Sequence, residues 1–303
     1  MISAPRLSMI NAKNWPLLKE KASLYIALTR LNKPVGIFLL LWPTLSALWL
    51  AAEGHPSWKL VVIFTLGVTL MRSAGCIIND IADRHLDRKV RRTRNRPLAL
   101  QRLTVGEALI AFILLILCAF LLVLLTNKLT VLLSIAALCL ACTYPFMKRF
   151  TNFPQLVLGI AFAMGIPMAF SAHQNTVPHI AWLFFLSTTL WTVAYDTIYA
   201  MMDREDDIHA GIKSTAILFG EQDRMIVSLL QALTIVGFFL VGQRAELSGI
   251  YYLGLIAMLL NFCWQHWLMH TPSTDNYFKA FVFNTWAGAS LYLGIVAHYL
   301  FFY

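Results

Sequence analysis

Carboxylates are scarce in this chain and bunched where they occur: only 15 Asp and Glu are spread over 303 residues. The stretch Asn79-Asp80-Ile81-Ala82-Asp83-Arg84-His85-Leu86-Asp87 holds three of them. A second, Asp196-Thr197-Ile198-Tyr199-Ala200-Met201-Met202-Asp203-Arg204-Glu205-Asp206-Asp207, holds five. On a helix, Asn79, Asp83 and Asp87 fall at i, i+4 and i+8 and share one face, with Asp80 about one hundred degrees round. Asp203 and Asp207 share a face in the same way, and Asp196 lies seven residues earlier on roughly the same stripe. Like charges four apart destabilise an isolated helix by about 0.2–0.5 kcal/mol per pair, so two such clusters require a compensating cation. Hard divalent ions prefer oxygen, and Mg2+ commonly takes one or two carboxylates plus phosphate oxygens. Two facing clusters could therefore hold Mg2+ around a diphosphate through Asp83, Asp87, Asp203 and Asp207, with Asn79, Asp80 and Asp206 as further donors. The simpler alternative is a pair of solvated acidic loops neutralised by neighbouring arginines.

Basic residues follow each cluster. Arg88, Lys89, Arg91, Arg92, Arg94 and Arg96 come after the first, Lys213 after the second, and Lys148 and Arg149 after Tyr144-Pro145-Phe146-Met147. Most of the first run reads as topology or lipid-headgroup charge; Arg88, Arg94, Lys148 and Lys213 are candidates for phosphate contact. Arg72 lies seven residues before Asn79, inside an apolar run, where an arginine costs roughly 2.5–3.5 kcal/mol at mid-span on insertion scales. It either snorkels to the interface or faces a polar cavity; Asp196, Tyr195 and Tyr199 raise the same question in the second half. His266 and His270 are spaced for a metal but have no third ligand in view. The five cysteines fall inside apolar runs and read as buried thiols.

The elements that must position these groups are membrane helices. The chain is 59% hydrophobic and 13% charged, against roughly 25% charged in a soluble domain. Nine apolar runs are long enough to cross a bilayer. They are Pro34 to Ala52, Trp58 to Ile78, Val105 to Thr126, Leu129 to Phe146, Pro154 to Ala172, His179 to Tyr199, Met225 to Val241, Leu247 to Trp267 and Phe278 to Leu300. Continuous apolarity excludes the alternation of barrel strands. With the N-terminus inside, 21 of the 24 Lys and Arg fall on the inner side, leaving Lys59, Lys128 and Arg244 outside. That asymmetry places the N-terminus in the cytoplasm, the C-terminus outside and both acidic loops inside. The net charge of +9 thus reports topology and not nucleic acid. The fold expected is all-α, one polytopic domain over residues 1–303, with a weak parallel repeat pairing Asp83 with Asp203 and Asp87 with Asp207.

Asn79-Asp80-x-x-Asp83-x-x-x-Asp87 and Asp196-x-x-Tyr199-Ala200-x-x-Asp203-x-x-Asp206-Asp207 resemble the two Asp-rich motifs of the UbiA superfamily of membrane prenyltransferases. Gly211 to Ala216, Lys33-Pro34-x-Gly36, Leu41-Trp42-Pro43-Thr44 and Tyr144 to Arg149 are similar to the branch acting on 4-hydroxybenzoate. The resemblance implies a circular bundle of nine helices around a cavity open sideways to lipid and capped by the two Asp-rich loops. It also implies Mg2+-dependent transfer of a long polyprenyl group from its diphosphate to 4-hydroxybenzoate, ortho to the hydroxyl, in ubiquinone biosynthesis in a bacterial inner membrane. Arg72 and Arg149 are then candidates for the benzoate carboxylate, Asp196 for the ring proton, and Tyr199 for substrate contact. Two other readings stay open: another acceptor (a naphthoate, a homogentisate or haem), and an ion-coupled transporter, which intramembrane Arg72 and Asp196 would suit.

Overall fold

A computed structural model describes residues 15–302. Its helices are α1 (Trp15–Leu28), α2 (Val35–Ala51), α3 (Trp58–Asp83), α4 (Val105–Val123), α5 (Lys128–Phe150), α6 (Pro154–Ala163) and α7 (Gly165–Gln174). They continue with α8 (His179–Met201), α9 (Arg204–Ala210), α10 (Thr215–Phe219), α11 (Asp223–Arg244), α12 (Gly249–Met269) and α13 (Thr274–Phe302). No strand occurs among the described residues, as continuously apolar segments require in lipid, where each backbone group must be satisfied within its own helix.

Every one of the nine predicted runs is helical. Six segments among the described residues are long and apolar enough to cross a membrane on length and composition alone, and α2 is a shorter apolar helix. α8 and α12 fall outside that set; each carries polar side chains that the fold buries, such as Thr192 and Gln265. The fifth run is two helices. Pro167 cannot donate to the carbonyl of Ala163, and the chain turns at Met164, whose N–H bonds Ala161 O at 3.4 Å instead. Helix starts are set locally. Thr104 and Glu107 cap α4 reciprocally, and Asn127 Oδ1 accepts from Thr130 N–H at 2.9 Å at the start of α5.

The helices form a ring: α2 packs on α3, α3 on α4, α5 on α6, α6 on α8, α8 on α11, α11 on α12 and α12 on α13, and α13 packs back on α2. α12 and α13 cross most tightly, because Gly254 and Gly294 let the backbones meet. A Cβ on Gly254 would lie 2.6 Å from Ser290 O. The main core lies between α2, α7, α8 and α11 to α13, around Trp191, Tyr195, Phe184, Phe238 and Tyr251. A smaller cluster (Leu28, Ile77, Leu98, Leu103, Ala108) fixes α1 and the segment after α3 against α3 and α4.

Candidate active site

Inside the ring lies a cavity of about 910 Å³, walled by α2, α3, α4, α5, α6, α7, α8 and the start of α13. A group of charged and polar residues gathers at one end, where α3 and α8 both finish: Asn79, Asp80, Arg92, Arg96, Asp196 and Tyr199. The rest of the wall is mainly apolar.

α3 ends at Asp83, but its geometry carries on for a turn: Asp87 N–H bonds Asp83 O at 2.8 Å, so Asp87 stays one turn beyond Asp83. In the second motif the helix breaks. Asp203 is the N-cap of α9, yet Asp207 N–H bonds Asp203 O at 2.7 Å and keeps the one-turn spacing. Gly211, at φ +71°, closes α9.

Each first-motif carboxylate and two of the second have a basic partner. Arg30 donates to both oxygens of buried Asp80 at 2.9 and 3.1 Å. Arg96 Nη1 bridges Asp80 at 3.0 Å and Asp87 at 2.9 Å. Lys148 pairs with Asp83, whose second oxygen, Oδ1, is buried without a hydrogen-bond partner. Arg92 pairs with Asp203, donates to Tyr199 and lies 4.4 Å from the centre of that ring. Arg91 N–H reaches Asp206 at 2.9 Å. Arg91 and Arg92 thus tie the segment after α3 to the second motif across the cavity mouth. The neighbouring carboxylates Asp80 and Asp87 hold the Arg96 guanidinium above its ordinary pKa against the opposing effect of its burial. Asp207 is buried and in no ion pair among the described residues; burial, and then the charge of Asp203, push its carboxyl up to about 7.

These oxygens suit a hard cation. Asp83 Oδ1 is a buried acceptor without a hydrogen-bond partner, and Asp203 and Asp207 stand one turn apart. Among the described residues, no three Asp, Glu, His or Cys side chains converge closely enough to hold a metal alone. The carboxylates therefore fit Mg2+ as partial shells, completed by ligand oxygens.

The predicted residues divide by placement. Asn79, Asp80, Arg72, Asp196 and Tyr199 line the cavity; Asp83, Asp87, Asp203 and Asp206 stand outside its lining, each with a basic partner, and Asp207 lies one turn beyond Asp203 without one among the described residues. Arg72 enters the cavity wall with Nη1 3.0 Å from Cys76 Sγ and its guanidinium 5.6 Å from the Phe162 ring centre; its Nε is buried without a partner. Gly36 faces that guanidinium, leaving no room for a side chain. The structure does not bring Arg149, Lys213, Arg88 or Arg94 to the cavity. Arg149 donates to Ala82 O at 2.6 Å, Lys213 to Phe150 O at 3.5 Å and Arg88 to Ala99 O at 3.0 Å, while Arg94 is exposed. Conversely, Arg30, Arg92 and Arg96 line the cavity, though the sequence offers them only as topology charges. For Arg92 and Arg96 the signal available was their closeness to the first motif, which Arg84, Arg88, Lys89, Arg91 and Arg94 share; Arg30, 50 residues before Asp80, had none.

The sequence profile of the UbiA prenyltransferase family matches residues 40–288. A 4-hydroxybenzoate octaprenyltransferase of Hahella chejuensis is 56% identical over 283 residues, covering 93% of this chain and 94% of that protein. Among solved structures, the apo UbiA homolog of Aeropyrum pernix K1 superposes with a TM-score of 0.75 at 25% identity, covering 86% of this chain and 97% of that one. A UbiA homolog of Archaeoglobus fulgidus, solved bound to GPP and Mg2+, has a TM-score of 0.65 at 18% identity over 90% of this chain and 99% of its own. With paired aspartate motifs at the mouth of a helical ring, and a profile match over most of its length, the chain belongs to the UbiA prenyltransferase family.

Proposed function

We propose that this protein transfers a long polyprenyl group from polyprenyl diphosphate to 4-hydroxybenzoate, with Mg2+, in the pathway to ubiquinone. The observation that carries the reading is one cavity whose polar end holds oxygen donors and cations while its remaining length is mainly apolar. A diphosphate with a lipid tail has that same division. The curated relatives that match nearly the whole chain are named 4-hydroxybenzoate octaprenyltransferase, and the family relative solved with GPP and Mg2+ supports the metal.

Asp83, Asp87, Asp203 and Asp207 would hold Mg2+, with Asn79, Asp80 and Asp206 around them. Bound Mg2+ supplies neutralisation of the diphosphate, making it a better leaving group. Lys148, Arg92 and Arg96, each paired with one of these carboxylates, would be near enough to donate to phosphate oxygens of a bound diphosphate. In the reaction the allylic C–O bond breaks and the electron pair leaves with diphosphate. A new C–C bond forms at the ring carbon ortho to the phenol oxygen, and the displaced ring proton goes to a base. Asp196, beside Arg72 and Tyr199 in the wall, is our candidate for that base. Arg72 is our candidate for the benzoate carboxylate, because its guanidinium is buried and only partly satisfied. Apolar walls exclude the water that would capture the allylic cation, and the faces of Tyr199 and Phe281, 4.6 Å apart between centres, can stabilise it.

The chain is a multi-pass membrane protein. We assign it nine crossings of a bacterial inner membrane, with the N-terminus and the carboxylate end cytoplasmic, on the strength of 21 inner-side Lys and Arg among 24. The 120-residue offset between the motifs, with α3 and α8 both ending at the same mouth, supports an ancestral duplication within one domain.

The test is prenyl transfer in purified membranes: radiolabelled 4-hydroxybenzoate and polyprenyl diphosphate, with Mg2+ or EDTA, for wild type and Asp203→Ala. An extractable product requiring both Mg2+ and Asp203 supports the reading. Product with a different aromatic acceptor alone moves the acceptor assignment; no transfer from folded protein removes the enzyme reading.

A further inference from the structure

Four arginines line the cavity: Arg30, Arg72, Arg92 and Arg96. Three of them pair with carboxylates of the two motifs. Arg72 pairs with none among the described residues, although Asp80 and Asp196 line the same cavity. A long, flexible cation in apolar surroundings is drawn strongly to the nearest anion. Three contacts from three helices hold this one back. Cys76, one turn further along α3, accepts from Nη1 at 3.0 Å. Gly36, near the start of α2, lies directly against the group: a Cβ there would fall 2.7 Å from Nη2 and 2.9 Å from Cζ. The ring of Phe162, in α6, completes the cradle, its centre 5.6 Å from Cζ. Cys76 is buried and so is the Nε atom of Arg72, which leaves the guanidinium little room to turn. Nη2 keeps no hydrogen-bond partner among the described residues. Gly36 also closes Lys33-Pro34-x-Gly36, a stretch without a part in the transfer chemistry.

We infer that Gly36 and Cys76 are positioning residues that set specificity for an anionic acceptor. They hold the Arg72 guanidinium clear of the site's own carboxylates, so that its charge stays free for the carboxylate of the substrate. The inference rests on the reading of Arg72 as the partner of the benzoate carboxylate and adds what keeps it available. Gly36 acts by the space it leaves: any side chain there takes the place of the guanidinium and pushes it off α2. Cys76 acts by being a weak, uncharged acceptor. Its sulfur directs one N–H and leaves the positive charge unneutralised, whereas a carboxylate in its place would consume that charge. Both residues act where the acceptor binds, and neither contacts a motif carboxylate.

The experiment is prenyl transfer in membranes with 4-hydroxybenzoate and, separately, with 4-hydroxybenzamide, which keeps the ring and hydroxyl but carries no charge. The readout is the ratio of kcat/KM for the two acceptors, which a smaller amount of folded enzyme does not move. Arg72→Ala gives the ratio without a guanidinium. Gly36→Ala should lower the ratio toward that value by roughly ten- to a hundredfold, the scale of misplacing a substrate-positioning group by about 1 Å. Cys76→Ala should lower it in the same direction, and Cys76→Ser, which keeps an acceptor in place, should restore it. The KM for polyprenyl diphosphate should not follow these changes. Should Gly36→Ala yield no folded protein, the two Cys76 variants decide. A wild-type ratio in Gly36→Ala and Cys76→Ala, beside a collapsed ratio in Arg72→Ala, overturns the inference and leaves the carboxylate reading standing. A wild-type ratio in Arg72→Ala overturns both.

Discussion

Arg72 brings a full charge into an apolar wall and spends only part of its hydrogen-bonding capacity there. A carboxylate restores what it lacks, and a charged hydrogen bond of that kind contributes about 1.5–3 kcal/mol. Arg72→Ala should therefore raise the KM for 4-hydroxybenzoate by roughly ten- to a hundredfold with little change for the diphosphate. Steady-state kinetics with each substrate varied in turn check this, and an unchanged KM for the acceptor removes Arg72 from the role. Asp207 gives a pH dependence. Its carboxyl, raised to about 7 by burial and then by Asp203, is mostly protonated below that pH, and only the ionised form ligates. Apparent Mg2+ affinity should fall as pH drops from 7 to 6, by up to about tenfold per unit for one displaced proton. Mg2+ titrations of transfer at several pH values check it, and Asp207→Asn should flatten the slope. The aspartates were legible in the sequence because charge is conspicuous in an apolar chain. Their partners Arg92 and Arg96 were not, since topology alone places arginines on that side and nothing in the spacing tells a site arginine from an anchoring one.

Helices were legible for the same reason that single arginines were not: twenty consecutive apolar residues admit few other structures in lipid. The break at Met164 was signalled by Pro167 but hidden by continuous hydropathy. Packing inside the ring was less visible still. The chain Trp191–Asn284–Gln265–Gln231 joins four helices through residues that look like scattered polar positions in one dimension. Asn284→Leu removes the acceptor of a fully buried indole N–H and should lower stability by roughly 1–2 kcal/mol. Unfolding of the detergent-purified protein measures it.

At the scale of the molecule, the distribution of charge predicts which surface faces which compartment. In a cysteine-free background, Lys128→Cys should react with a membrane-impermeant maleimide applied from outside the cell. Lys89→Cys, in the exposed segment after α3, should react only after lysis. The opposite pattern would invert the assigned orientation. The closure of the ring carries a further consequence. α13 docks on α2, so Tyr292 meets a tryptophan 250 positions earlier in the chain, and the partners at this joint are made far apart in synthesis. Both aspartate motifs have been made once α8 and α9 have emerged from the ribosome, but the wall beside them stands open until α13 arrives. A nascent chain thus holds its charged groups before it has the enclosure that shields them. The docking of α13 on α2, made 250 positions apart, therefore decides when the cavity beside the two motifs becomes enclosed.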